Sequence, residues 1–280
     1  MGAAEILLIG CRCVVFAAAL MLFGAALFRW RLMPDTPPLH GHTGMIAALI
    51  AAIALTLPAR IAQMTDGWGS VADPGMIGLV LIGTGAGHGW TVQAVAVIVL
   101  AIAARRDARM VVTLAAGVIL AAQALSGHAA ATPGWIGVLR QANDVLHMLA
   151  AGAWLGALPL VLRLLPRIGQ DNTHHLLIRY SRQGHVWVAL VLVTGMIATL
   201  TTVEGIPVDW SKRYQVLLCL KIAVTAAMVG LAIRNRYILV PRFSADIRAR
   251  RALTRATRGE IVLGFVAVAL VAWFGMLDPA

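Results

Sequence analysis

Charge is scarce in this sequence: only 12% of its 280 residues are Asp, Glu, Lys or Arg, about half the share usual in a soluble domain. Acidic side chains are the rarest, with 12 Asp and Glu against 23 Lys and Arg. Cysteine is nearly absent too. Cys11, Cys13 and Cys219 show no zinc-ribbon or CxxC spacing, which excludes a disulfide framework and a structural metal knot. A Gly-rich phosphate loop, a G-x-S-x-G elbow and an H-E-x-x-H helix are all missing. Their absence removes an ATP-driven pump and the commonest membrane hydrolases, so no enzyme is expected. No loop is longer than about twenty residues, which leaves no water-exposed domain. Whatever the chain does must happen in a membrane or at its surfaces.

What fills the chain is apolar sequence, at 60% of residues. A helix needs about 20 residues to cross the hydrocarbon layer, and runs of that order recur at Glu5–Phe28, Gly44–Met64, His88–Ala104, Met110–Leu125, Gln141–Leu162, Arg182–Val203, Tyr214–Ile238 and Gly259–Leu277. The expectation is an all-α, polytopic membrane bundle of eight spans forming one domain over 1–280. The shorter apolar stretch Ile77–Thr84 reads as a re-entrant or interfacial helix. The first span lacks a basic leader and an A-x-A-like site, and is read as retained.

Basic residues orient the bundle, because cytoplasmic loops keep Lys and Arg. The loops after spans one, three, five and seven carry Arg29 and Arg31; Arg105, Arg106 and Arg109; Arg163, Arg167, Arg179 and Arg182; and eight arginines from Arg234 to Arg258. The opposite loops carry Arg140, Lys212 and Arg213. Both termini are therefore expected on the outer, periplasmic side of an inner membrane. The formal charge of +11 is explained by arginines facing an anionic leaflet and calls for no nucleic acid.

Ionisable and soft side chains at membrane depth are functional candidates, and under this topology most gather on the outer side. Asn143, Asp144 and His147 are spaced three and four apart, so one helix face can present all three, and Trp154 continues that face. His88 opens span three, and His128 lies just beyond span four, close in sequence to span five. Arg12, Cys11 and Cys13 occupy the outer half of span one, Cys219 and Lys221 that of span seven, and Met196 the outer part of span six. Imidazole and carboxylate with soft sulfur nearby suit copper, while a histidine at a helix end also serves as an ordinary interfacial residue. Lys221 either pairs with Asp144 or snorkels to the surface; Arg12 has the same choice, with Asp66 or Asp73 as partners. Glu260 and His185 read as an inner exit site or as interfacial residues, and His40, His42, His174 and His175 as loop residues able to accept a departing ion. Gly152 and Gly156 form a small-xxx-small packing pair.

An ordered series of short motifs resembles the copper-resistance protein D (CopD) family of bacterial inner-membrane proteins. It comprises Ser126-Gly127-His128-Ala129, Asp144-Val145-Leu146-His147 with Trp154-Leu155-Gly156, Arg179-Tyr180-Ser181-Arg182, Val193-Thr194-Gly195, Tyr214 to Lys221, Asn235-Arg236 and Val240-Pro241-Arg242. His88, in Thr84-Gly85-Ala86-Gly87-His88-Gly89-Trp90, departs from that pattern. The resemblance implies an eight-helix protein that works beside a periplasmic copper-binding partner and carries copper ion toward the cytoplasm. Under it, His128, His147, Asp144 and His88 become candidate ligands, and Cys11, Cys13, Cys219 and Met196 a candidate path. Two other readings stay open: a haem-binding membrane redox protein, which needs histidine pairs at matched depth, and a copper-binding sensor or assembly factor that does not transport.

Overall fold

The structure, a computed structural model, describes residues 2–33, 42–65, 67–127, 132–165, 171–203, 205–207, 209–243 and 246–278, without the side chains of 171–175 and 177. Its helices are α1 (Ala3–Leu32), α2 (Thr43–Met64), α3 (Pro74–Gly83), α4 (Gly85–Arg105), α5 (Arg109–Ala122), α6 (Gly134–Leu155), α7 (Leu158–Leu164), α8 (Asp171–Thr202), α9 (Arg213–Arg234), α10 (Val240–Arg242) and α11 (Ile247–Phe274). Among the described residues there is no strand. Eight helical stretches are long and apolar enough to span a membrane, as the hydrophobic runs require.

Local chemistry explains where the chain turns. Asp73 accepts a hydrogen bond from the Gly75 amide at 2.9 Å, and Pro74 opens α3 where a missing N–H costs nothing. Thr84 accepts from the Gly87 amide at 2.9 Å and starts α4. Asp107 joins α4 to α5 at φ 50°, a left-handed conformation that Asp tolerates. There it receives Arg109 at 2.9 Å and Arg29 at 3.3 Å. Burial alone would raise the Asp107 carboxyl, but the hydrogen bonds and charges of Arg109 and Arg29 outweigh it and hold the pKa below its ordinary value. His42, just ahead of α2, also has its pKa lowered from the ordinary value, by burial and by the charges of Arg29 and Arg163.

Three boundaries differ from the sequence reading. The fifth span is one apolar run, but the chain divides it into α6 and α7, because Pro159 lies in the first turn of α7 and cannot continue the backbone ladder. The helix of the sixth span begins at Asp171, eleven residues before Arg182. Several arginines read as loop residues, Arg248, Arg250, Arg251, Arg255 and Arg258, lie instead on the first turns of α11, which Asp246 caps. The stretch Ile77–Thr84 does form a short helix, α3, too short to span.

The first helix holds the bundle together. α1 packs against α2, α5, α6 and α11, and its contact with α6 is a backbone approach. A Cβ on Gly24 would stand 2.6 Å from the Gly156 Cα, and one on Gly156 would meet the Leu20 carbonyl and, at 2.9 Å, the Gly24 Cα. Three glycines thus do what the Gly152/Gly156 spacing suggests. Packing is uneven elsewhere. Only 11% of the hydropathic window of Ile178–Thr202 and 17% of that of Arg213–Arg242 is buried, against 39–50% in the first four spans. α8 and α9 therefore leave broad apolar faces open.

Candidate metal centre

The centre of interest is built on α6, α8 and α9. Asn143 and His147, one turn apart on α6, both reach Thr194 of α8. Asn143 Nδ2 donates to the Thr194 carbonyl at 3.0 Å, and His147 Nδ1 lies 2.9 Å from Thr194 Oγ1. The Thr194 hydroxyl spends its own proton on the Leu190 carbonyl at 2.5 Å. It must therefore accept from His147, which places the imidazole proton on Nδ1 and leaves the lone pair on Nε2. Gly195 makes room for the ring, since a Cβ there would be 3.3 Å from His147 Cε1. A histidine oriented through a hydrogen bond at Nδ1 is arranged as metal ligands usually are.

Asp144 points to the other neighbour. Its charge interacts with that of Lys221 on α9, with Arg140 and with the Tyr214 hydroxyl. Lys221 also acts on His147. Tyr214 is buried and packs edge-on against Phe274, with ring centres 5.2 Å apart. The three-and-four spacing thus puts Asn143 and His147 against α8 and Asp144 toward α9. Thr194 and Tyr214 had no role in the sequence reading beyond belonging to motifs. The one signal for Thr194 was a polar Thr-Gly pair inside an otherwise apolar span.

The remaining candidates are dispersed. His128 lies outside the described residues. His88 is exposed, and its Nε2 bonds the Ile82 carbonyl at 2.9 Å, tying α4 back to the end of α3. Cys11 is buried in the core of the first half, Cys13 is half-buried beside it, and Cys219 donates to the Pro207 carbonyl at 3.4 Å; all three are free thiols. Met196 is exposed. Trp154 is buried, and its carbonyl accepts from the Tyr180 hydroxyl at 2.7 Å. Among the described residues, no three His, Cys, Asp or Glu side chains gather closely enough to hold a metal. Of the loop histidines, His40 is outside the described residues, as are the side chains of His174 and His175.

A second polar group lies between α8, α9 and α11. Glu260 is buried and accepts from Asn235, whose residue range 235–239 forms a π-helical turn. Such turns collect at functional positions. His185 bonds the Tyr237 hydroxyl at 3.0 Å, and Arg236 donates to Ser181 Oγ at 2.6 Å. These residues line a cavity of about 440 Å³ that is otherwise apolar.

Comparison with known proteins gives this geometry its context. A family model for the N-terminal domain of copper resistance protein D-like proteins matches residues 3–138, and a model for copper resistance protein D matches residues 174–274. The Escherichia coli (strain K12) inner membrane protein YebZ is 30% identical, over 97% of this chain and 98% of its own length. The chain belongs to the copper resistance protein D family. Its relative of that name in Pseudomonas syringae pv. tomato is 28% identical over 97% of this chain and 96% of its own length. The copper transport protein CutJ of Bacillus subtilis (strain 168) is 26% identical over 84% of this chain and 45% of its own. No solved structure matches. This family member is a multi-pass inner-membrane protein, by its eight apolar helices and its likeness to YebZ. Asn143, Asp144 and His147 fall in the stretch that separates the two family matches.

Proposed function

We propose that this protein binds copper ion at His147 and Asp144, with His128 completing the site, and carries the ion across the inner membrane to the cytoplasm. The observation that carries the reading is His147: a half-buried imidazole within the span, fixed through Nδ1 by Thr194, with Nε2 left as a lone-pair donor. Asp144 one turn earlier supplies the negative charge that a cation at this depth needs. The asymmetry of basic loops puts this centre on the periplasmic side with both termini, where a periplasmic copper-binding protein would deliver the ion. Lys221 keeps the empty site near neutrality and yields to copper when it arrives. His88 stands apart as a first encounter point, and Cys219, two residues from Lys221 on α9, offers a thiol for onward passage. Cys11 and Cys13 sit in the core of the first half and serve packing, and Met196 is exposed on α8. Among the described residues the haem reading finds no inner histidine pair, since His185 bonds Tyr237.

The experiment is copper stoichiometry of the purified protein, with absorbance for haem in the same samples, followed by copper uptake into proteoliposomes. Roughly one copper per chain, lost in His147→Ala and in His128→Ala, is the expected result. Uptake by the wild type alone then separates a transporter from a binder. Unchanged copper in both variants would overturn the ligand assignment, and copper binding without uptake would leave a sensor or assembly factor.

A further inference from the structure

We propose that the first half of the chain holds a separate binding site for a small monovalent anion of halide size, formed by Arg12 of α1 and Arg60 of α2. The two guanidinium groups line one cavity of about 30 Å³ together with Thr56, Gln93, Gln123 and Ser126. Their positive charges act on each other. Arg12 Nε is sealed from solvent without a hydrogen-bond partner. Among the described residues Arg12 makes no ion pair; its guanidinium lies over the Phe16 ring at 5.7 Å and beside Gly275 at the end of α11. Arg60 has one side-chain partner, Gln63, at 3.4 Å. Asp73, a conceivable counter-charge for Arg12, is spent on the start of α3.

Two like charges in a pocket at membrane depth are costly unless a negative charge joins them. No described residue lining the cavity is acidic. Ala86 and Gly87, in the first turn of α4, also border it, so the partial positive charge of a 21-residue helix end points the same way. The side-chain amides of Gln93 and Gln123 are neutral donors of the kind that ring a desolvated anion, while the hydroxyls of Thr56 and Ser126 donate to the Ala52 and Gln123 carbonyls at 2.8 and 3.1 Å and only border the cavity. Size decides the class. A volume of about 30 Å³ takes roughly one or two water-sized particles, which suits chloride better than a phosphate-bearing headgroup.

The site is distinct from the copper centre, which sits on α6, α8 and α9, so each can fail without the other. The test titrates chloride against gluconate at constant ionic strength on the purified full-length protein. Equilibrium binding of radioactive chloride and the unfolding temperature are both read. The expected result is saturable binding of about one chloride per chain, with a rise of about 3 °C in unfolding temperature. Affinity falls about tenfold in Arg12→Gln and in Arg60→Gln, and is largely retained in Arg12→Lys, which keeps the charge. Sulfate gives no shift. Should Arg12→Gln fail to fold, Arg60→Gln carries the test. Absence of saturable chloride binding, equal affinity in Arg60→Gln, or sulfate acting as well as chloride would each overturn the proposal.

Discussion

The two halves of this bundle solve the problem of polar groups in lipid in opposite ways. In the first half, α1, α2, α4 and α5 bury 39–50% of their apolar windows, and two arginines share a small cavity. In the second half, α8 and α9 bury only 11% and 17%, although the Gly134–Leu164 and Ile247–Phe274 stretches beside them bury 56% and 39%, and charges of both signs, Asp144 on α6 and Lys221 on α9, act on each other near His147. A cavity lined by charge of one sign in the tight half can hold a ligand permanently. In the loose half, beside the two helices that pack least, a site whose charges balance can admit an ion, exchange partners and release it. The join between them is α1 against α6, where Gly24, Gly152 and Gly156 bring backbones into contact. The proposed copper site thus lies where α6 meets the two helices that pack least, α8 and α9, whose movement is least hindered by wedged neighbours.

The sharpest way to break this contrast is at the join. Gly156→Val places side-chain atoms against the Leu20 carbonyl and the Gly24 backbone, which no rotamer relieves. We expect a loss of about 3 kcal/mol, read as a lowered unfolding midpoint in detergent, with the copper and chloride sites lost together. An unaltered midpoint would mean that the halves are not coupled through this contact.

Next comes the charge balance of the loose half. Asp144→Asn and Lys221→Met each remove one of two charges that act on each other without forming an ion pair, whereas the double variant restores neutrality. The double-mutant cycle in unfolding free energy should return a coupling of about 1 kcal/mol. A coupling near zero would show that the two charges stabilise the site independently.

Thr194→Val keeps the shape of the side chain but removes the acceptor for the His147 proton. Copper affinity should fall about tenfold, with folding little changed. Equal affinity would show that Thr194 does not set the tautomer.

The smallest effect belongs to the far end of the tight half, at Asp107. Because its carboxyl titrates below its ordinary value of 3.8, the folded state binds fewer protons than the unfolded one as pH falls through that region. Its contribution is full above 3.8 and is lost as pH drops toward the folded value. Asp107→Asn should flatten the acid limb of the stability profile by less than about 1 kcal/mol, since the pair is partly exposed. An acid limb identical to wild type would show that the arginines gain nothing from this carboxylate.

Much of the architecture was legible from the residues. Apolar runs of membrane length are unambiguous, because a chain with 60% hydrophobic residues has no aqueous way to bury them. The Asn143, Asp144 and His147 spacing marked a polar side of α6, but the single face it suggested divides, with Asn143 and His147 on Thr194 of α8 and Asp144 acting with Lys221 of α9, because three- and four-residue intervals fix which residues lie on one side of a helix and not which neighbours they meet. Thr194 was hidden for the converse reason: which residue of α8 meets His147 depends on the depth and rotation of two helices, and no interval in the sequence encodes that. The same holds for Arg12 and Arg60, forty-eight residues apart in the chain. Read singly, Arg12 calls for an acidic partner, and only the antiparallel packing of α1 and α2 sets a second arginine beside it.

The sequence by itself determined the solvent, the number of spans and the helical faces that carry polar groups, since these follow from hydropathy and a fixed helical repeat. Tertiary structure alone decided which faces meet. It split the fifth span at Pro159, gave His147 its Thr194 anchor, turned Asp144 toward Lys221 and enclosed two arginines in one cavity. The physical reason is that apolar surface is interchangeable in lipid, where hydrophobicity does not drive one helix against another. Close backbone approach at Gly24, Gly152 and Gly156, and the few hydrogen bonds between spans, choose the arrangement that the apolar pattern leaves open.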